Sequence, residues 1–130
     1  MINMKEAIFY SPTYGQISLE RVFEIIENFV KKDPSKEYEI VVGADSQTFT
    51  NRTKFVLVIA VHCKGSGGIF FYYLEYLNKM KNLQLKIHHE VQMSIEVAGL
   101  VLEKTLQLNL PNLIFNHIDV DIGTDGETKR

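Results

Sequence analysis

The sequence is poor in cysteine, in excess basic charge and in long apolar stretches, and each shortage closes off a class of protein. A single cysteine, Cys63, cannot form an intrachain disulfide, so the pattern is not that of a disulfide-built secreted domain and a reducing cytoplasm is expected. Cys63 ends an apolar run and reads as a small strand hydrophobe rather than a nucleophile. No apolar run approaches the roughly 20 residues that span a bilayer. The opening MINMKEAIFY lacks a basic region followed by an apolar one, so neither a membrane span nor a signal peptide is expected. Fourteen Lys and Arg against sixteen Asp and Glu leave a net charge of −2 and a pI of about 6.1. No global field therefore draws in nucleic acid or anionic lipid, and any contact with nucleic acid must be local. Repeats, linkers and low-complexity tracts are also missing. What remains, 130 residues with 45% hydrophobic and 23% charged side chains, is enough for one domain over 1–130 with one core.

Within that domain, Ser11-Pro12 and Tyr14-Gly15 punctuate residues 1–16 as an irregular lead-in. Ser18 is placed as an N-cap, with Ile17 and Val22 as a hydrophobic staple, and Leu19, Val22, Phe23, Ile26, Phe29 and Val30 recur at helical spacing over about 18–32. Lys31 and Lys32 suit the helix C-terminus, Asp33-Pro34 stops it, and these lysines with Lys36 read as a solvated end. Ile40-Val41-Val42 opens a first strand. After a polar turn over 48–53, Lys54 to Cys63 is a continuous apolar run of the kind found in strands covered on both faces. A glycine-rich connection leads to a third strand, Ile69 to Tyr76. Its aromatics, Phe70, Phe71, Tyr72, Tyr73 and Tyr76, either pack under a helix or offer stacking faces to unpaired bases. A loop with Lys79 and Lys81 precedes a helix from about Leu85 to Leu108, and Leu113 to Ile122 reads as a fourth strand. Three strands in a meander, a crossover helix and a returning strand predict an α/β fold with a mixed sheet, the last strand lying parallel to one already present.

Three acids stand out against this frame. Asp45 follows Ile40–Ala44 where burial should continue, so Asp45-Ser46-Gln47 either begins a turn or carries a carboxylate inward to meet a cation, a donor network or a water-filled cleft. Glu90 projects into the apolar arc of the second helix formed by Val91, Ile95, Val97, Ala98, Val101 and Leu102. It either snorkels outward from the first turns or aims at a waiting charge. Glu96 falls in a polar sector with Gln92, Gly99 and Glu103 and reads as solvated. His117, Asp119 and Asp121 alternate with Ile118, Val120 and Ile122, so the polar three share a strand face. Carboxylates from the first strand, the helix after the three-strand meander and the strand after that helix are the ligands that Mg²⁺ or Mn²⁺ prefers in phosphodiester chemistry. A transition-metal site built from His62, His88, His89 and His117 has no ligand spacing to support it.

The order of elements and the placement of these acids resemble the ribonuclease H-like fold. The segments Tyr10-Ser11-Pro12 with Gly15, Gly43-Ala44-Asp45-Ser46-Gln47, and Asp121-Ile122-Gly123 followed by Gly126-Glu127-Thr128 resemble the bacterial YkuK family across essentially the whole chain. The resemblance implies a mixed sheet with an extra N-terminal helix. It also implies two Mg²⁺ or Mn²⁺ ions held by Asp45, Glu90 and Asp121, with Asp119 as the alternative third ligand. Action on RNA, RNA–DNA hybrid or structured nucleic acid follows as an expectation, with His117 or His89 assisting proton transfer. Family members continue into a closing acidic segment beyond Gly-Glu-Thr, whereas this sequence ends at Arg130. A single domain lacking that segment is therefore expected, with a homodimer covering exposed surface, and a non-catalytic binding or assembly module with an incomplete metal site is the alternative reading.

Overall fold

The structure, a computed structural model, describes residues 3–78 and 82–120, and for 116–120 the backbone alone. The elements run β1 (Ile8–Ser11), β2 (Gly15–Ser18), α1 (Leu19–Lys31), β3 (Tyr38–Thr48), β4 (Arg52–Cys63), β5 (Gly67–Asn78), α2 (Leu83–Leu108) and β6 (Leu113–Val120), after a 3₁₀ turn at Met4–Glu6. The strands form one sheet in the order β2-β1-β5-β4-β3-β6.

Strands β3, β4 and β5 make the expected antiparallel meander, and β6 returns beside β3 in parallel. A parallel return needs a crossover, which α2 provides. The predicted mixed α/β sheet is therefore present, with α1 as its extra helix. The lead-in differs from expectation: residues 8–18 are an antiparallel hairpin paired through Ile8↔Ser18 and Ser11↔Gly15, and it joins the sheet at Tyr10↔Tyr72. Gly15 turns with φ of 73°, a left-handed conformation that glycine adopts without strain.

The helices keep their predicted ends. Ser18 Oγ accepts a hydrogen bond from the Arg21 amide at 3.1 Å, so the cap starts α1 where the sequence placed it. The Asn82 side chain caps α2, and Asn109, with φ of 52°, closes it. Both helices pack on one side of the sheet. Val22 and Ile26 of α1 and Met93, Val97 and Val101 of α2 join Phe9, Ile40, Val42, Phe55, Leu57, Ile59, Phe71 and Tyr73 in one core. Cys63 is a buried free thiol within that core, as its place in the sequence predicted.

On the other side the strands alternate to residues that are half-buried or exposed: Val56 and Val58 on β4, and Phe70, Tyr72 and Tyr76 on β5. Among the described residues β4 is thus covered by helices on one face only, which corrects the reading of Lys54 to Cys63 as doubly covered. An antiparallel sheet can face water on one side, and β4 keeps apolar residues there because its neighbours flank them. The apolar arc of α2 is likewise narrower than predicted, since Ile95 and Leu102 point outward at 60% and 48% exposure.

Candidate functional site

The pattern that positions the site is the junction of β3, β6 and α2. Tyr38 pairs with Leu113 and Ile40 with Phe115; after a bulge the register resumes at Val41↔His117 and runs through Gly43↔Asp119 to Ala44↔Val120. The backbone of Asp119 is therefore brought beside Gly43, two residues before Asp45. The side chain of Asp119, like that of His117, and the whole of Asp121 lie outside the described residues.

Asp45 lies within a strand, paired with Val56, and the turn starts only after Thr48. Its side chain is exposed while Ala44 and Ser46 are buried, so alternation sends it to the open side of the sheet. Neither sequence alternative describes it: the residue is not in a turn, and it is not directed into the core. Its Oδ1 accepts a 2.7 Å hydrogen bond from the Ser46 amide.

Glu90 does face inward. It is 2% exposed on α2, a helix that packs on both β3 and β6. Lys86, one turn earlier on the same face, is also buried, so an ammonium and a carboxylate share one stripe of the helix. Each is engaged by neighbouring groups, as is Asp45. Ser94, the next residue of the stripe, satisfies its hydroxyl by donating to the Glu90 carbonyl at 2.7 Å. The structure thus buries Glu90 on the helix-covered side and leaves Asp45 exposed on the other side of the sheet.

A second polar group lies under α2. His89 Nε2 is 2.7 Å from Glu75 Oε1, with the two side chains only 12% and 13% exposed. Tyr73 donates from its hydroxyl to the other Glu75 oxygen at 3.3 Å, and the Phe55 ring lies 4.2 Å from the imidazole, centre to centre. Burial, followed by the charge and hydrogen bond of Glu75, pushes the Tyr73 phenol up to about 12. Sequence reasoning passed over Glu75 and Lys86. The signals were present: Glu75 follows Phe71 and Tyr73 at period two onto the helix-covered face, and Lys86 precedes Glu90 by four. Glu96, expected to be solvated, instead accepts from the Met4 amide at 3.2 Å and ties the N-terminal turn to α2.

Among the described residues no three His, Cys, Asp or Glu side chains gather as a group that could hold a metal ion. Asp45 and Glu90 supply oxygen donors of the right chemistry for Mg²⁺ or Mn²⁺, but from different sides of the sheet. The described residues do not by themselves make a divalent-cation site.

Comparison with known proteins agrees with this topology. Residues 21–130 match the model of the Ribonuclease H-like family. The chain is 31% identical over 133 aligned positions to "Uncharacterized protein YkuK" of Bacillus subtilis (strain 168), an alignment covering 94% of this chain and 77% of that protein. No solved structure gives a significant match. No described helix is long and apolar enough to cross a membrane. With a parallel β3–β6 pair, a crossover helix bearing a buried glutamate and these two matches in hand, the chain belongs to the ribonuclease H-like YkuK family.

Proposed function

We propose that this protein acts on nucleic acid as a metal-dependent phosphodiester-cleaving enzyme, on RNA, RNA–DNA hybrid or a structured nucleic acid. The observation that carries the reading is the parallel pairing of β3 with β6, which sets the backbone of Asp119 beside Gly43, two residues before Asp45, with Glu90 buried on the crossover helix that leads into β6. An ionised group in such a place is costly unless a cation or donor network receives it. In this reading Asp45, with Asp121 or Asp119 of the β6 segment, would supply the carboxylates for Mg²⁺ or Mn²⁺, whose chemistry would be to activate water and stabilise the leaving oxygen, while Glu90, on the other side of the sheet, would position these strands from the helix side.

A second reading, a non-catalytic nucleic-acid-binding or assembly module, is favoured by one specific observation: Asp45 is exposed on the side of the sheet away from α2. Cleavage of RNA–DNA hybrid, single-stranded RNA and DNA in Mn²⁺ separates the two. Wild type is expected to cut at least one of them, and Asp45→Asn and Glu90→Gln to lose that activity while remaining folded. Cleavage equal in wild type and both variants would remove the proposed residues from the reaction. No cleavage of any substrate by folded wild type would leave the binding module. Sedimentation of the same preparation reads out the homodimer that the sequence led us to expect.

A further inference from the structure

The five aromatics of β5 divide by side. Phe71 and Tyr73 are buried under the helices, while Phe70 and Tyr76, at 46% and 47% exposure, and the half-buried Tyr72 stand on the open face. Register extends that face across the sheet: Tyr72 meets Tyr10 on one side and Val58 on the other, and Tyr76 meets Lys54. Tyr10 and Tyr72 lie nearly parallel, at 24° and 5.5 Å between centres, and Phe70 continues the row at 28° and 6.4 Å from Tyr72. At the far end the Arg52 guanidinium lies 4.2 Å from the centre of the Tyr76 ring.

The charge on these three strands has one sign, and the next strand of the same face, β3, adds the carboxylates of Glu39 and Asp45. The outward positions of β1 (Ile8, Tyr10), β5 (Phe70, Tyr72, Leu74, Tyr76) and β4 (Arg52, Lys54, Val56, Val58, Ala60, His62) include two permanent cations and no carboxylate. A chain with a net charge of −2 has therefore placed cations beside exposed rings, against its overall balance. Phe70 and Tyr72 at period two, roughly 7 Å apart along the strand, and Tyr76 two periods beyond Tyr72 past Leu74, with cations at that end, suit bases that stack while phosphates are neutralised. Two copies of this chain meeting over the same patch would set Arg52 and Lys54 against like charge, which a polyanion does not. A duplex keeps its bases stacked on one another and has no ring faces to offer.

We propose that the open face of β1, β5 and β4 binds single-stranded nucleic acid, with Phe70, Tyr72 and Tyr76 stacking on bases and Arg52 and Lys54 holding phosphates. This rests on the reading that the chain acts on nucleic acid, and it names the form taken. It places the strand on the side of the sheet to which Asp45 points, with Lys54 opposite Gln47 two residues beyond that acid.

The test is a fluorescence-anisotropy titration of labelled oligo(dT), and of a duplex of equal length, with the full chain in EDTA so that nothing is cut. Wild type is expected to prefer the single strand. Phe70→Ala and Tyr76→Ala are each expected to weaken binding about five- to a hundredfold. Arg52→Gln and Lys54→Gln should each lower the log–log salt slope by about 0.7. All four changes sit at exposed or half-buried positions, and unchanged urea midpoints would confirm that the fold is kept. Equal affinity for duplex, no binding of oligo(dT), or full affinity in both ring variants would overturn the proposal. So would a wild-type dimer that Phe70→Glu dissociates, because the face would then belong to a second copy. Failure here is distinct from failure of the cleavage reading. A chain that binds oligo(dT) through these rings and cuts nothing keeps the face and loses the enzyme; one that cuts but binds without the rings does the reverse.

Discussion

The two sides of the sheet are written in the same strands, one residue apart, and differ in almost everything else. On the covered side Phe55, Leu57, Ile59 and Phe71 are at or below 1% exposure beneath two helices, and the polar groups there, Glu75 and His89, satisfy each other. On the open side Phe70 and Tyr76 are nearly half exposed, the cations at Arg52 and Lys54 lie next to rings, and Asp45 faces water. Composition does not separate them, because both sides are rich in aromatic and β-branched residues. What separates them is whether polar groups are buried with their partners or exposed alongside ring faces. A side whose hydrogen-bonding capacity is internally used is architecture; one that keeps charge and ring faces exposed has interactions still to make.

The largest expected effect follows from substituting neighbours on opposite sides. Phe71→Ala removes a fully buried ring and should cost about 3–5 kcal/mol of unfolding free energy, while Phe70→Ala should stay within about 0.5 kcal/mol. Urea denaturation of the pair checks this. Comparable losses would mean that the open side is covered in solution.

Next is the polar pair under α2. Glu75→Ala leaves the His89 imidazole and the Tyr73 hydroxyl without their shared acceptor in a largely buried place, and a loss of about 1–3 kcal/mol is expected. Glu39→Ala, which removes an exposed His62 partner 3.8 Å away, should cost less than about 1 kcal/mol. Similar losses for the two would break the contrast between closed and open polar groups.

Much of this division was legible in the residues, and the part that was not has physical reasons. The Ser18 cap, the apolar spacing of α1 and the β-branched run of β3 fixed those elements locally, because each carries its own period or cap. The N-terminal hairpin was missed because strands of four residues are too short to display alternation, and what holds β1 is its pairing with β5, about 60 positions away. Alternation did say that Phe70 and Phe71 part company, but nothing local says which side receives helices. For the same reason the apolar run before Asp45 suggested burial: the half-covered open face of β3 and β4 keeps Val41, Val56 and Val58, so hydrophobicity there does not report a second layer. Glu90 is buried, as its place in the apolar arc of α2 suggested, on a stripe it shares with Lys86 and Ser94; the placement of Asp45 depended on the layer that a sequence does not reveal.

A pH titration probes the covered side more finely. The Tyr73 phenol is held up to about 12, above its ordinary value near 10, by burial and by Glu75. A raised folded value means that the folded state keeps a proton the unfolded state gives up. The stabilisation is therefore complete below pH 10 and is lost as pH rises toward 12. Tyr73→Phe should remove that component of alkaline destabilisation, leaving a shallower fall in melting temperature between pH 10 and 12. An unchanged slope would mean that this phenol is not the group responsible.

The smallest effect is expected at Asp45, and its smallness is the informative part. Asparagine keeps the oxygen that receives the Ser46 amide, removes one charge at an exposed position, and disturbs none of the residues packed beneath Ala44 and Ser46. Asp45→Asn should therefore move the unfolding free energy by less than about 0.5 kcal/mol at neutral pH. If the same substitution abolishes Mn²⁺-dependent cleavage, the carboxylate serves chemistry and not folding, and the open side is where the reaction takes place. A substantial gain in stability would instead show that Asp45 sits among like charges, as it would if acids of the β6 segment crowd it. Such crowding is what a cation site looks like when its ion is absent, and added Mn²⁺ should then erase the difference between wild type and variant.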